Sequence, residues 1–168
     1  MRAFLKTLTL GLCLVVAGWI APLEAPAQTT FTWTASGGGN ANWNNDRNWL
    51  GRVDPLNNSV GAFVFSNATR KLINNNNRTG LVMTNLTFVS IAGANTLNGN
   101  AIIFSNATGN GSFANNSANL QTLNFAGITL GSAYTINAAS GSIQINSAIN
   151  NSGNLLTVTG ARNTTLAN

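Results

Sequence analysis

From Phe31 onward, apolar side chains fall in short groups at alternate positions. A two-residue period puts every second side chain on the same face of an extended strand. Strands are predicted at Phe31-Thr-Trp33, Val60-Gly-Ala-Phe-Val-Phe65, Leu86-Thr-Phe88, Ala101-Ile-Ile-Phe104, Leu123-Asn-Phe125, Ile128-Thr-Leu130, Tyr134-Thr-Ile136, Ser142-Ile-Gln-Ile145 and Leu156-Thr-Val158. Between them stand Asn98-Gly99, Asn110-Gly111, Gly127, Gly131, Ser140-Gly141 and Ser152-Gly153. Asn and Gly tolerate left-handed backbone, so these pairs read as turns. No stretch beyond residue 27 carries the three-and-four spacing of a helix. The expected fold class is all-β.

The strands repeat. Phe65-Ser-Asn-Ala-Thr69 returns as Phe104-Ser-Asn-Ala-Thr108, and Leu123, Ile143 and Leu166 sit in similar strands about 20 residues apart. A rung of that length accommodates three short strands and three corners, the unit of a right-handed parallel β-helix (β-solenoid). Stacked rungs also line up asparagine side chains into hydrogen-bonded ladders. That gives a physical use to the 29 asparagines of the chain.

The stretch from Thr29 to Phe65 differs from the rest. It holds Trp33, Trp43 and Trp49, the acids Asp46 and Asp54, and the Gly37-Gly38-Gly39 turn. A solenoid must close its ends, because a terminal rung exposes strand edges and apolar core. Residues 28–71 are therefore read as a Trp-rich N-terminal aromatic cap and 72–168 as the strand-repeat region. The latter stops at Thr164-Thr-Leu-Ala-Asn168, inside a strand-turn unit, and is expected to be a truncated array.

The first 27 residues have another logic. A basic start with Arg2 and Lys6, an apolar run from Leu8 to Ile20, and Ala25-Pro26-Ala27 form the three-part layout of a secretory signal peptide. The run is short of the roughly 20 residues that span a bilayer. Cleavage is expected between Ala27 and Gln28. Cys13, the only cysteine, leaves with that segment, so the mature chain has no disulfide.

Two regions carry a resemblance. Trp33…Gly37-Gly-Gly39…Trp43…Asn48-Trp49…Pro55…Val60…Phe65 resembles the module that opens many exported autotransporter-type repeat proteins. Tyr134-Thr-Ile-Asn-Ala-Ala-Ser-Gly141, Ile149-Asn-Asn-Ser-Gly153 and Leu155-Leu-Thr-Val-Thr-Gly160 resemble autotransporter-associated β-strand repeats. The usual continuation, Gly-x-Gly-Thr-Leu-Thr-Leu, is weak here as Gly160-Ala-Arg-Asn-Thr-Thr-Leu166, and the C-terminal translocating barrel is not in these residues. The resemblance implies a parallel β-helix passenger displayed on, or released from, a Gram-negative-type envelope. It brings no catalytic residues.

Composition narrows the chemistry. There is no histidine, and with no mature cysteine, zinc sites and histidine-based triads are excluded within the chain. Asp46 and Asp54 are the only mature acids, too few for a glycosidase pair with support or for a calcium site, and read as an Asx turn and a pre-proline turn. Gly37–Gly39 lacks the Gly-Lys-Ser/Thr of a phosphate loop. The net charge of +5 does not signal nucleic acid, because only Arg70, Lys71 and Arg78 lie near one another. The Asn-x-Ser/Thr triplets at Asn67 and Asn106 are read as turns. No catalytic residue, cofactor or metal is expected.

The remaining candidate site is aromatic. Trp33, Trp43 and Trp49, with Arg47 or Asn44 reaching hydroxyls, are weighed as a sugar-stacking platform against simple packing of the cap. The expected function is a non-catalytic, exported, structural or adhesive solenoid at the cell surface, in the outer membrane or outside the cell. Its contacts would be with an extracellular glycan or surface partner, with self-association through strand edges and membrane contact only through export. A carbohydrate-binding module is the alternative, and a polysaccharide-cleaving β-helix enzyme a third.

Overall fold

A computed structural model describes residues 28–167. The expected signal segment, and the cleavage expected between Ala27 and Gln28, therefore fall outside the described residues except for Gln28 itself. The described chain is almost wholly strand and turn, with two 3-10 turns at Asp46–Asn48 and Leu50–Arg52. Its strands are β1 (Thr30–Trp33), β2 (Val60–Phe65), β3 (Ile73–Asn76), β4 (Leu81–Phe88), β5 (Thr96–Gly99), β6 (Ile102–Phe104) and β7 (Gly111–Asn115). They continue with β8 (Gln121–Phe125), β9 (Ile128–Leu130), β10 (Tyr134–Ala138), β11 (Ile143–Ile145), β12 (Ile149–Asn150), β13 (Leu156–Gly160) and β14 (Thr164–Leu166).

Every pairing between these strands is parallel. They stack into a three-sided solenoid of five coils. The first side runs from the Leu81–Met83 half of β4 through β6 and β9 to β12. The second runs β1, β2, the Asn85–Phe88 half of β4, β7, β10 and β13. The third is β3, β5, β8, β11 and β14. β4 serves two sides because a bulge at Thr84 turns it, its neighbours Met83 and Asn85 pairing consecutive residues of β2. On the third side Ile73 faces Thr96, 23 residues on, and Thr96 faces Thr122, 26 on. Gln121 then faces Ile143, 22 on, and Ile143 faces Thr164, 21 on. The rungs are thus slightly longer than the spacing of about 20 read from the sequence.

Stacking in register makes the core a set of ladders. On the second side Phe31, Phe63, Leu86, Phe113, Ile136 and Val158 lie one above another. On the third, Asn74, Leu97, Leu123, Ile145 and Leu166 do the same. Leu81, Ile102, Ile128 and Ile149 make the first. Phe65 stacks on Phe88 at 5.1 Å, and Phe104 lies flat on Tyr134 at 4.5 Å. Burying each such side chain contributes about 1.5–3 kcal/mol. The Tyr134 ring occupies space that a Cβ on Gly111 would fill, so glycine is required inside β7.

One corner of the interior is polar. Asn67 Nδ2 donates to Asn95 Oδ1 (2.8 Å), and the Asn95 N–H donates to Gln121 Oε1 (3.0 Å). Asn67, Asn95 and Gln121 belong to three successive coils, so this buried row ties coil to coil where the chain turns between the second and third sides. Both motif asparagines sit at corners. Asn106 closes a local turn onto Thr108, and Asn67 Nδ2 also donates to the Arg70 carbonyl (2.9 Å).

Asn98-Gly99 and Gly111 are strand residues, not turns. Asn98 is paired between Asn75 and Asn124, and Gly99 takes a left-handed φ of 110° only at the end of its strand. Among the strands with no counterpart in the predicted set, β3, β5 and β7 are the longest. Ile-Asn-Asn-Asn, Thr-Leu-Asn-Gly and Gly-Ser-Phe-Ala-Asn are poor strand sequences by propensity. They are extended because neighbouring coils supply the ladder, on both sides for β5 and β7 and through β5 and the Asn42–Asn75 bridge for β3.

Candidate functional site

The aromatic end is built by strands and turns that bring three indoles together. β1 carries Trp33, and the two 3-10 turns flank Trp49, which bridges Trp33 antiparallel. Trp43 enters through the Asn42–Asn75 bridge, its Nε1 donating to Asn74 Oδ1 (2.8 Å). Trp49 Nε1 donates to the Trp43 carbonyl (2.8 Å). Trp49 meets Trp33 and Trp43 edge-on at 5.1 and 5.7 Å, and Trp43 stacks on Phe63 at 5.7 Å. These are favourable aromatic geometries. They seal the first ends of the core ladders, Trp49 over Phe31 and Trp43 over Asn74.

That packing corrects the stacking-platform reading. Trp33 and Trp43 are 0% exposed and Trp49 2%, so no ring face is open to a sugar. Arg47 is exposed and lines an open groove of about 480 Å³ together with Thr34, Ser36, the edge of the buried Trp49, Leu50 and Arg52. Asn44 is exposed, its N–H donating to Asn77 Oδ1 (3.0 Å). The short spacing of the three tryptophans brings them together in one end of the fold but does not by itself fix their exposure.

Asp54, Arg70, Lys71 and Arg78 are engaged through their side chains. Arg78 Nη2 pairs with Asp54 Oδ2 at 2.5 Å, so Asp54, just before Pro55, is a partner in an ion pair, and the turn expected there falls later, at Asn57 and Asn58. Asp46 opens the first 3-10 turn, with its backbone carbonyl accepting from Trp49. Lys71 Nζ donates to the Gly37 carbonyl (2.8 Å) and to Asn48 Oδ1, and Arg70 reaches the Ser36 carbonyl. Burial and, secondarily, the neighbouring Arg70 lower the pKa of Lys71. Together these cations fasten the triple-glycine loop to the first coil. Among the described residues no three His, Cys, Asp or Glu side chains gather as metal ligands, and no helix is long and apolar enough to cross a membrane.

The coils beyond the aromatic end present a different surface. From Thr79 to Ala161 there is no Asp, Glu, Lys or Arg. On the third side the outward positions form two rows, Ile73, Thr96, Thr122, Gln144 and Thr165, and beside it Asn42, Asn75, Asn98 and Asn124, continued by Asn146. Asn75 Nδ2 donates to Asn42 Oδ1 (3.3 Å), Asn124 Nδ2 to Asn98 Oδ1 (3.1 Å) and Asn146 Nδ2 to Asn124 Oδ1 (2.7 Å). The expected asparagine ladder is therefore present in two hydrogen-bonded stretches, Asn42–Asn75 and Asn98–Asn124–Asn146, at about 4.8 Å per coil. Its signal in the sequence is the recurrence Thr96-Leu-Asn98, Thr122-Leu-Asn124, Gln144-Ile-Asn146.

No family model, no curated protein and no solved structure matches this chain. Fold and surface therefore carry the functional reading without a relative beside them.

Proposed function

We propose that the chain is a non-catalytic, exported β-solenoid with a structural and adhesive role at the cell surface or outside the cell, in the manner of an autotransporter passenger. The observation that carries this is the uncharged run of coils with amide and hydroxyl groups fixed in register along its sides. Each outward group makes a weak contact, and repetition along a rigid rod sums them. Preordered side chains also lose little entropy when they bind.

The test has two arms. Fractionation and intact mass read export: a mature protein beginning at Gln28 is expected, and a mass retaining residues 1–27 in the cell interior refutes it. Retention on immobilised neutral polysaccharides and on intact cells reads adhesion. Binding is expected to persist from low to high salt, since no charge pairs support it, and to fall on Thr122→Lys with Asn124→Lys. Absence of retention on every surface refutes the adhesive role.

A second reading rests on the Arg47 groove, where a guanidinium and the Thr34 and Ser36 hydroxyls face one open space. It suits a small glycan bound by hydrogen bonds in place of ring stacking. Fluorescence of Trp49, which borders the groove, titrated against a glycan panel tests it; no response in wild type removes it.

A further inference from the structure

Two asparagines of the chain stand directly before glycine, in Asn98-Gly99 and Asn110-Gly111. That dipeptide has a chemistry of its own. The glycine nitrogen lies within reach of the asparagine side-chain carbonyl carbon, and with no Cβ on the glycine nothing crowds the approach. The fold treats the two pairs in opposite ways. Asn98 lies inside β5, paired with Asn75 in the coil before and Asn124 in the coil after. Its Oδ1 accepts from Asn124 Nδ2 (3.1 Å), which directs the side chain toward the neighbouring coil. Ring closure requires the asparagine backbone to leave the extended conformation, and for Asn98 both adjoining coils must let go first.

Asn110 is under neither restraint. It is exposed and lies outside the strands, immediately before β7. The corner leading to it is held only locally: the Gly109 N–H donates to the Asn106 carbonyl (2.8 Å) and the Thr108 N–H to Asn106 Oδ1 (3.0 Å). Gly109 has a left-handed φ of 73°, and a Cβ placed on it would meet nothing. This corner can shift without breaking a ladder. Gly111, in contrast, is fixed, with the Tyr134 ring lying against its Cα. The strand thus holds the attacking nitrogen still, and the corner supplies the motion that brings the side-chain carbon to it.

We propose that Asn110 is a site of spontaneous self-modification through a succinimide ring, and that the fold protects Asn98 from the same reaction. The Gly111 backbone nitrogen attacks Asn110 Cγ. The new N–C bond forms as that nitrogen gives up its proton, and the side-chain nitrogen leaves as ammonia. Water then opens the ring at one of its two carbonyls. One product is aspartate; the other is isoaspartate, whose main chain runs through the former side chain. Water is the only co-reactant, and nothing is oxidised or reduced. Either product places a side-chain carboxylate in a run that has no charged residue from Thr79 to Ala161. Isoaspartate also lengthens the backbone at the entrance to β7. Replacing Gly111 does not offer the chain an escape, because a Cβ there would strike the Tyr134 ring. The packing that requires glycine also preserves the reactive pair.

The experiment incubates the folded chain in mildly alkaline buffer beside the same chain in denaturant, with samples taken over time. Cleavage beside Phe and Leu separates the two sites into peptides 105–113 and 98–104. Fragment mass spectra locate the exchange of NH2 for OH, and methylation by an isoaspartate methyltransferase distinguishes the two isomers. Asn110 is expected to convert in the folded chain about as fast as in denaturant, giving both isomers. Asn98 is expected to be slowed by folding by a factor of about ten or more. Asn110→Gln, at an exposed position, should keep the strand signal in circular dichroism and show no conversion at residue 110, because the longer side chain closes its ring far more slowly. An Asn110 that stays intact in the folded chain while it converts in denaturant overturns the proposal. So does a product that is aspartate alone, which marks direct hydrolysis, and so does a folded chain in which Asn98 reacts as fast as Asn110.

Discussion

Replacing Asn95 with alanine removes the middle of the buried polar row. The backbone bond from Asn95 N–H to Gln121 Oε1 survives, because it does not use the side chain. The Gly93 carbonyl loses the Asn95 Nδ2 donor (2.9 Å) but keeps Gln121 Nε2 (2.9 Å). Asn67 is the residue left short. Its Nδ2 retains the Arg70 carbonyl and loses Asn95 Oδ1, while its own Oδ1 already has no partner. One orphaned buried N–H costs about 1–3 kcal/mol, and the small void left by the amide adds to it. A loss of about 2–4 kcal/mol is expected, or a fall in Tm of roughly 10 °C for a domain of this size. The comparison is Asn98→Ala, which removes an outward ladder member hydrogen-bonded to Asn124 and is expected to cost less than about 0.5 kcal/mol. Thermal melts followed by circular dichroism and by tryptophan emission measure both. A chain with Asn95→Ala that melts no lower than one with Asn98→Ala refutes the argument that the interior row holds the coils together.

The remaining expectations are briefer. Asn95→Asp keeps the shape but places a carboxylate against the Gly93 carbonyl; burial raises such a pKa, so stability should be greatest below about pH 4 and fall as pH rises, and an unchanged melt from pH 3 to 8 would refute this. Burial likewise pushes the Tyr134 hydroxyl above its ordinary value. The folded state then holds that proton longer than the unfolded one, so its contribution is complete below about pH 10 and is lost above it. Tyr134→Phe, which also removes the bond to the Ser112 carbonyl (3.0 Å), should flatten the alkaline limb, and an identical limb in both proteins refutes the assignment. Trp43→Ala opens the sealed end and strips Asn74 Oδ1 of its donor; a loss of about 3–5 kcal/mol by denaturant titration is expected, and a loss below about 1 kcal/mol would contradict the sealing role.

Much of this architecture is legible in the chain because a solenoid is local: each rung declares itself through alternation and through the glycines between strands. Leu123-Asn-Phe125 and Ile128-Thr-Leu130 need nothing else to be read as strands. What stayed hidden depends on register, which no single rung contains. Ile73-Asn-Asn-Asn76 looks like a turn until Leu97 and Trp43 are placed around Asn74. The repeat Phe65-Ser-Asn-Ala-Thr and Phe104-Ser-Asn-Ala-Thr misleads for the same reason, since Phe65 stands on the second side and Phe104 on the first. At the aromatic end three tryptophans within a short span can make a platform or a plug, and only the positions of Phe31, Phe63 and Asn74 decide between them.

The uncharged sides of the later coils have a consequence for anyone looking for this protein. Trypsin cuts after lysine and arginine, and between Arg78 and Arg162 it has no bond to attack, folded or denatured. Three whole coils and two sides of the last, β4 through β13, leave a digest as one long peptide running from Thr79 to Arg162. A tryptic survey of surface proteins would therefore register the aromatic end and miss the rod, whereas cleavage beside Phe, Leu or Tyr would recover it.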